Sequence, residues 1–377
     1  VVLTLFIGVG SAAIAFEARQ SARRASQETL RAELPESAKS RPGAASSAAA
    51  DPLDGYVASD RCMGCHPGHF ESWHKSYHRS MTQPASEEAI FGRFDGIRLN
   101  AKGRIYLLEK RGEEFWVAMA EPDWEADLLA RGVRPDSIPD AEAPRAWKRV
   151  VMTTGSHHMQ TYWVASDRDG RLFNFPWLWL NADQRWIPRE DGFIRPPEGG
   201  RTYDVWHDSC IECHAVAGEK EHRPGSGWNP RVAELGIACE ACHGPAQEHI
   251  RANQDPARRY RLRQSEEGDP TIVNPARLDA KAASQVCGYC HGINMWKPGP
   301  LKNGKRFHPG DDLRETRVIL RASDGVSEST DPIERRDWPM LRNQLAQVMK
   351  ENPTVLDERF WADGMVRVSG REHNGMI

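Results

Sequence analysis

All eight cysteines fall into four pairs with one spacing, and a histidine follows each second cysteine. The pairs are Cys62-Met63-Gly64-Cys65-His66, Cys210-Ile211-Glu212-Cys213-His214, Cys239-Glu240-Ala241-Cys242-His243 and Cys287-Gly288-Tyr289-Cys290-His291. Thiols at this spacing form thioethers to the two vinyl groups of a porphyrin, and the adjacent imidazole coordinates the iron from one side. Both sulfurs must reach one edge of the ring while the imidazole points at its centre, which fixes the spacing. The iron-binding nitrogen must be unprotonated. Zinc knuckles and thioredoxin-like redox sites also use Cys-X-X-Cys. A zinc pair needs no histidine after every second cysteine, and a disulfide scaffold leaves the histidines unexplained. The pattern therefore predicts four covalently bound haem c groups. Cys62, Cys65, Cys210, Cys213, Cys239, Cys242, Cys287 and Cys290 carry them, with His66, His214, His243 and His291 as proximal iron ligands.

The sixth position of each iron separates an electron carrier from a catalyst, and ten further histidines could fill it. Two axial ligands lie on opposite faces of a ring, so a near neighbour in the same segment rarely supplies both. His78 lies twelve residues past His66. On a continuous helix that is about 18 Å, far enough to reach the iron of a neighbouring haem. His249 follows His243 closely, and Gly244-Pro245 can stop one helix and start the next, turning His249 toward a different haem. In Thr154-Gly155-Ser156-His157-His158 a turn between two strands lets one ring project into the haem cluster, so either His157 or His158 is expected as a ligand. His207 precedes Cys210 so closely that it is expected at its own haem's edge. His308 could serve only by ordering a loop at about 1–2 kcal/mol per residue. The expected distal ligands are thus His78, His249 and one of His157 and His158. Three ligands for four irons leave one haem expected without protein at its sixth position. His69 and His74 read as surface residues or partners of haem propionates, and Met81 and Met159 as ordinary packing residues.

These residues need elements to position them. From Pro67 to Met81 the apolar spacing predicts a helix. Between 91 and 200, runs such as Arg104-Ile105-Tyr106-Leu107-Leu108, Phe115-Trp116-Val117-Ala118-Met119 and Gln160-Thr161-Tyr162-Trp163-Val164 predict antiparallel strands inserted between the first and second haem motifs. Three motifs then follow within 201–310, joined by Pro- and Gly-rich loops. Residues 332–362 read as helical, with Trp338, Leu341, Leu345 and Met349 in register. The expected class is α+β: a mainly helical multihaem cluster with an inserted antiparallel β region and many loops. The expected domain is 55–310, with the β-rich insertion at 91–200 and a helical region at 311–377.

The 377-residue chain suffices for one large domain or two ordinary ones. Its formal charge of −3 lacks the basic excess of a nucleic-acid binder, so no nucleic-acid partner is expected. The 13 tryptophans suit porphyrin faces or an ordinary core. Val1 to Phe16 are apolar or small, with no charge. A complete transmembrane helix needs about 20 such residues. The segment therefore reads as the remnant of a membrane anchor or as a signal-peptide core, with Ala13-Ile14-Ala15 as a candidate cleavage site. Residues 17–54, rich in Ala, Ser, Glu and Arg, read as a flexible tether. At the other end, Arg367 to Ile377 stop without helix-ending composition. The C-terminal region is expected to continue toward a further haem motif, with His373 as a ligand beyond it.

Cys62-X-X-Cys-His followed by Trp73 and His78-Arg79-Ser80-Met81 resembles the start of tetrahaem cytochromes of the cytochrome c-554 type. Gly236-Ile237-Ala238-Cys239-Glu240-Ala241-Cys242-His243-Gly244-Pro245-Ala246-Gln247-Glu248-His249 is very similar to the third haem site of that family. The run from Gly155 to Trp163 is similar to relatives among multihaem proteins. The resemblance covers roughly residues 56–310, is tightest at the haem sites and loosest in the strands. It implies electron transfer in the periplasm through closely packed, mostly bis-histidine haems, with room for one five-coordinate haem. It carries over the four motifs, His78, His249 and the His157/His158 pair.

No Gly-rich phosphate loop or nucleophile elbow is present, so electron transfer is the leading expectation. The alternative is a haem reductase or oxidase of a small nitrogen or oxygen compound at a five-coordinate haem. Expected partners are redox proteins of the periplasm or inner membrane. The expected location is the periplasm, because this haem attachment takes place outside the cytoplasm, with the N-terminal segment as anchor to the cytoplasmic membrane.

Overall fold

The computed structural model describes residue 53 and residues 55–192, 203–208, 210–223, 227–297, 305–321 and 332–351, and beyond these 353, 356–357 and 360–364. The N-terminal apolar segment, most of the tether and the C-terminal end with His373 lie outside the described residues. The chain enters through three short helices, α1 (Asp60–Met63), α2 (Pro67–His74) and α3 (Tyr77–Ser80). Pro67 opens α2 and the Ser76 hydroxyl caps α3 by accepting from the Arg79 N–H. The expected single helix over 67–81 is thus split at Lys75-Ser76.

Strand β1 (Thr82–Pro84) follows, then β2 (Asp95–Ala101), β3 (Arg104–Arg111) and β4 (Glu114–Ala120). Lys102 and Gly103, both at positive φ (49° and 74°), make the two-residue hairpin turn between β2 and β3. Period-2 alternation sends Tyr106 and Leu108 to one face and Leu107 to the other, and both faces are covered. Helix α4 (Pro122–Ala130) leads to the long strand β5 (Arg145–Thr154). Then come β6 (Met159–Ala165), β7 (Leu172–Asn174), β8 (Trp177–Leu180) and β9 (Arg185–Pro188).

These strands make one nine-stranded antiparallel sheet of order β2-β3-β4-β5-β6-β8-β9, with β1 paired to β5 and β7 to β6. The first half of β5 pairs with β4 and the second half with β6, so the sheet turns a corner there. Trp186 of β9 packs on Phe94 beside β2 (ring centroids 5.7 Å), and its indole N–H donates to the Arg93 carbonyl at 3.2 Å. The two ends of the strand order thus meet through side chains, and the sheet forms a nearly closed barrel. Tyr106, Leu108, Val117, Met119, Tyr162 and Trp179 are among its buried filling.

The expectation of a mainly helical cluster is therefore wrong: the barrel is the dominant element and the helices are short. A haem motif needs only one helical turn to present two thiols and an imidazole, so several motifs add little helix.

After the barrel come α5 (Cys210–His214), β10 (Ala215–Val216), the hairpin β11 (His222–Arg223) and β12 (Gly227–Trp228), and β13 (Glu234–Leu235), which pairs with β10. Helices α6 (Cys239–His243), α7 (Gln247–Ala252), α8 (Pro256–Gln264) and α9 (Ala280–His291) follow. Strands β14 (Asn294–Trp296) and β15 (Arg317–Ile319) pair, and helix α10 (Pro332–Glu351) covers them with Leu341 and Leu345.

The barrel positions both sides of the haem region. Gly155 donates its N–H to the Met81 carbonyl at 2.7 Å, and the Ser156 hydroxyl donates to the Tyr77 carbonyl at 3.2 Å, so the β5–β6 turn holds α3. On the same side Met152 and Trp163 pack with Trp206, Ile211 and Ala215, which seats α5.

Candidate haem sites

Each motif folds as a helical turn. Cys239–His243 and Cys210–His214 are five-residue helices, the fourth motif ends α9, and in the first the Cys65 and His66 N–H groups donate to the Cys62 carbonyl. Positions i, i+3 and i+4 share one helical face, so the turn presents two thiols and the imidazole together. None of the eight cysteines forms a disulfide.

Motif residues between the cysteines tie the motifs to one another. Glu240 is buried and accepts from the Val57 N–H (3.1 Å), the Ala58 N–H (3.0 Å) and the Ala246 N–H (2.8 Å). Burial raises its carboxyl above the ordinary range, and these donors oppose that. Ser59, fully buried, donates its N–H (2.8 Å) and hydroxyl (2.9 Å) to Glu234, and its hydroxyl oxygen accepts from the Cys239 N–H at 3.2 Å. The first motif is thereby fixed to the third. Glu212 binds the Trp296 indole at 3.0 Å and Arg317 at 3.1 Å, and Arg317 stacks 3.5 Å over Trp296. The second motif is thereby fixed to the strands that follow the fourth.

Thiols of different motifs influence one another. The proximity of Cys62 and Cys239 raises the Cys62 thiol and lowers Cys239. The Cys290 thiol donates to the Cys213 carbonyl at 3.9 Å, and the nearby Cys213 thiol with burial raises Cys290. Cys242 lies within electrostatic reach of Cys287. The contacts run from motif one to three, three to four and four to two.

The histidines fit iron between them. With about 2 Å from metal to nitrogen and about 1.2 Å from nitrogen to ring centre, two imidazoles on one iron have centres about 6.3 Å apart. His66 and His249 are 6.2 Å apart, and His78 and His291 are 6.1 Å apart. Both pairs join segments distant in sequence. His66 also lies 6.3 Å from His69, but helical i, i+3 neighbours have that spacing without a metal. Partial burial, with the facing histidines adding to it, lowers the pKa of His66 and of His78, a shift toward the neutral form that iron binding requires. His243 donates from Nδ1 to the Val273 carbonyl at 2.8 Å, leaving Nε2 for metal. Thiols off disulfides, paired rings at iron spacing and neutral imidazoles together fit haem c.

The other sequence candidates lie elsewhere. His157 stacks on Tyr77 at 4.1 Å and lies 3.9 Å from His158. His308 pairs with Asp311 at 3.5 Å. His207 is fully buried against Trp228 (4.5 Å), and neither of its ring nitrogens has a hydrogen-bond partner. Sequence reasoning did not single out Glu212, Glu234, Glu240, Asp269 or Val273. Only the glutamates inside the motifs offered a signal, as acidic residues between cysteines.

The site resembles that of a multihaem c-type cytochrome, a class that carries covalently bound haem c and serves electron transport. A family model described as cytochrome c554 and c-prime matches residues 200–244. Among solved structures, the outer cell wall cytochrome OcwA is similar at 16% identity over 71% of this chain and 45% of its own, with a TM-score of 0.41. An undecahaem cytochrome from the S-layer of Carboxydothermus ferrireducens is similar at 17% identity over 79% of this chain and 35% of its own, with a TM-score of 0.31. The chain spans less than half the length of either. A comparison with curated proteins finds no match.

Proposed function

We propose that the chain is a periplasmic electron carrier that holds four haem c groups and relays electrons in the order first, third, fourth, second motif. The observation that supports this reading is the close neighbourhood of the motifs: Ser59 ties the first to the third, the Cys290 thiol lies 3.9 Å from the Cys213 carbonyl, and the Cys242 thiol feels Cys287. Each bound haem takes up one electron, at a potential set by its ligands and surroundings. The chain's part is to hold the groups edge to edge and to fix their ligands. In this reading His66 and His249 hold the first haem, and His291 and His78 hold the fourth. The N-terminal segment anchors the chain to the cytoplasmic membrane or directs its export, and the partners are redox proteins on that side. Among the described residues no helix is long and apolar enough to cross a membrane.

A pyridine haemochrome assay after acid-acetone extraction tests the count. Four haems per chain staying with the protein is the expected result, and extractable haem or bound zinc overturns it. Protease treatment of spheroplasts tests the location: digestion is expected, and protection places the chain inside.

A second reading is a reductase or oxidase of a small nitrogen or oxygen compound at one open haem. What favours it is the packing of the His157 ring between Tyr77 and His158, which engages it with neighbours outside the haem motifs.

A further inference from the structure

Asp269 lies behind His249, with its side chain 12% exposed. Its Oδ2 is 3.1 Å from His249 Nδ1, 2.6 Å from Asn253 Nδ2 and 3.1 Å from Arg258 Nη1. Its Oδ1 accepts from Arg258 Nη2 at 2.8 Å, the Thr271 N–H at 3.0 Å and the Thr271 hydroxyl at 2.5 Å. The carboxylate is therefore held from every side, and its position is fixed before any metal arrives.

Proton counting assigns the His249 tautomer. The Asn253 amide has two protons, one directed at the His249 carbonyl (2.9 Å) and one at Asp269. None remains for the close approach between Asn253 Nδ2 and His249 Nδ1 at 3.1 Å. His249 Nδ1 thus carries a proton and donates it to Asp269, which makes Nε2 the nitrogen available to a metal. Four residues on, the Val273 carbonyl serves His243 in the same way, and the Val273 N–H returns to the His243 carbonyl at 3.2 Å. One short segment thus orients ligand candidates of two neighbouring haems. Behind one stands an anion, and behind the other a neutral carbonyl.

We propose that Asp269 is a positioning residue that lowers the reduction potential of the haem held by His66 and His249, with Arg258 limiting the effect. The proposal rests on the reading of His249 as an axial ligand. A carboxylate accepting from an imidazole N–H makes the opposite nitrogen a stronger donor. The stronger donor and the nearby negative charge both favour ferric over ferrous iron, because the ferric centre carries one more positive charge. Arg258, bidentate on the same carboxylate, withdraws part of that charge. The haem at the start of the proposed relay becomes harder to reduce than its neighbour on His243, so electrons move off it.

Spectroelectrochemical titration of the holoprotein, with low-temperature electron paramagnetic resonance, tests this through signs. In Asp269→Asn one component of the titration shifts to higher potential while the others hold and all low-spin signals persist. In Arg258→Gln the same component shifts to lower potential. Loss of local structure would move both variants in one direction, so shifts of like sign, or none with low-spin signals intact, overturn the proposal. If Asp269→Asn turns one haem high-spin, Arg258→Gln decides alone: a negative shift supports the proposal and no shift overturns it. His249→Ala separates the two levels. All haems staying low-spin there removes His249 as a ligand and the parent reading with it. A high-spin haem there, with no shift in Asp269→Asn, overturns only the role of Asp269.

Discussion

Ile237 donates its backbone N–H to the carbonyl of His78 at 3.0 Å, and the Ile237 carbonyl in turn accepts from the Trp73 indole at 2.9 Å. The loop entering the third motif therefore grips the helix that carries His78. Gly236 makes the approach feasible: its φ is +78°, and a Cβ there would sit 2.5 Å from the Arg79 carbonyl oxygen and 3.2 Å from that of His78.

Gly236→Ala should therefore cost about 1–3 kcal/mol from backbone strain and the displaced contact. Part of one haem's low-spin signal should be lost as His78 moves. Thermal unfolding and electron paramagnetic resonance read the two effects, and a variant with wild-type values in both would show that the grip is immaterial.

His78→Ala and His249→Ala should each convert one low-spin haem to high-spin. All four haems should remain attached, since the thioethers are untouched. Magnetic circular dichroism with a haemochrome count checks both points, and unchanged spectra in both variants would refute the pairings with His291 and His66.

Glu240→Ala removes the acceptor of the Val57, Ala58 and Ala246 N–H groups. It should destabilise the fold by about 1–3 kcal/mol. Burial raises the Glu240 carboxyl, so the folded chain binds that proton more tightly than the unfolded one. Its contribution is fully present below the unfolded value of about 4.3 and declines as pH rises through the folded value. Glu240→Gln should flatten that decline in denaturant titrations run at a series of pH values. An unaltered slope would mean the carboxyl is not perturbed.

Carbon monoxide added to the fully reduced protein should shift the Soret band by an amount corresponding to no more than two haems, those held by His214 and His243. No shift would mean that every iron already has two protein ligands, and the reductase reading would lose its ground. A shift matching three or four haems would contradict the His66/His249 or the His78/His291 pairing.

The haem attachment chemistry was legible because a covalent bond to a rigid ring dictates residue type and spacing, as in Cys239-Glu240-Ala241-Cys242-His243. The runs Arg104–Leu108, Phe115–Met119 and Gln160–Val164 were legible as strands from their alternation, and they fall in β3, β4 and β6. Their closure was not, because nothing local says that Trp186 will reach Phe94 and Arg93. The helical share was overestimated because motif spacing suggests long helices where one turn suffices. His78 and His249 could be named, but His291 and His66 as the rings facing them depend on tertiary contacts. Asp269 carried no signal, being a common loop residue with an ordinary neighbourhood in sequence.

Ser59 and Glu234 are separated by 175 positions, and Glu240 reaches back 183 positions to Val57. A chain made from its N-terminus thus presents the first Cys-X-X-Cys-His turn long before the groups that will anchor it exist. Until the third motif emerges, the Ser59 and Val57 donors are solvated and the turn is free to rearrange. Contacts of such sequence separation form late because loop closure precedes any gain. Fastening does not bury the turn: in the folded chain Cys65 and His66 remain exposed and Cys62 is half-buried. The first site is thus anchored late yet stays open to chemistry after folding.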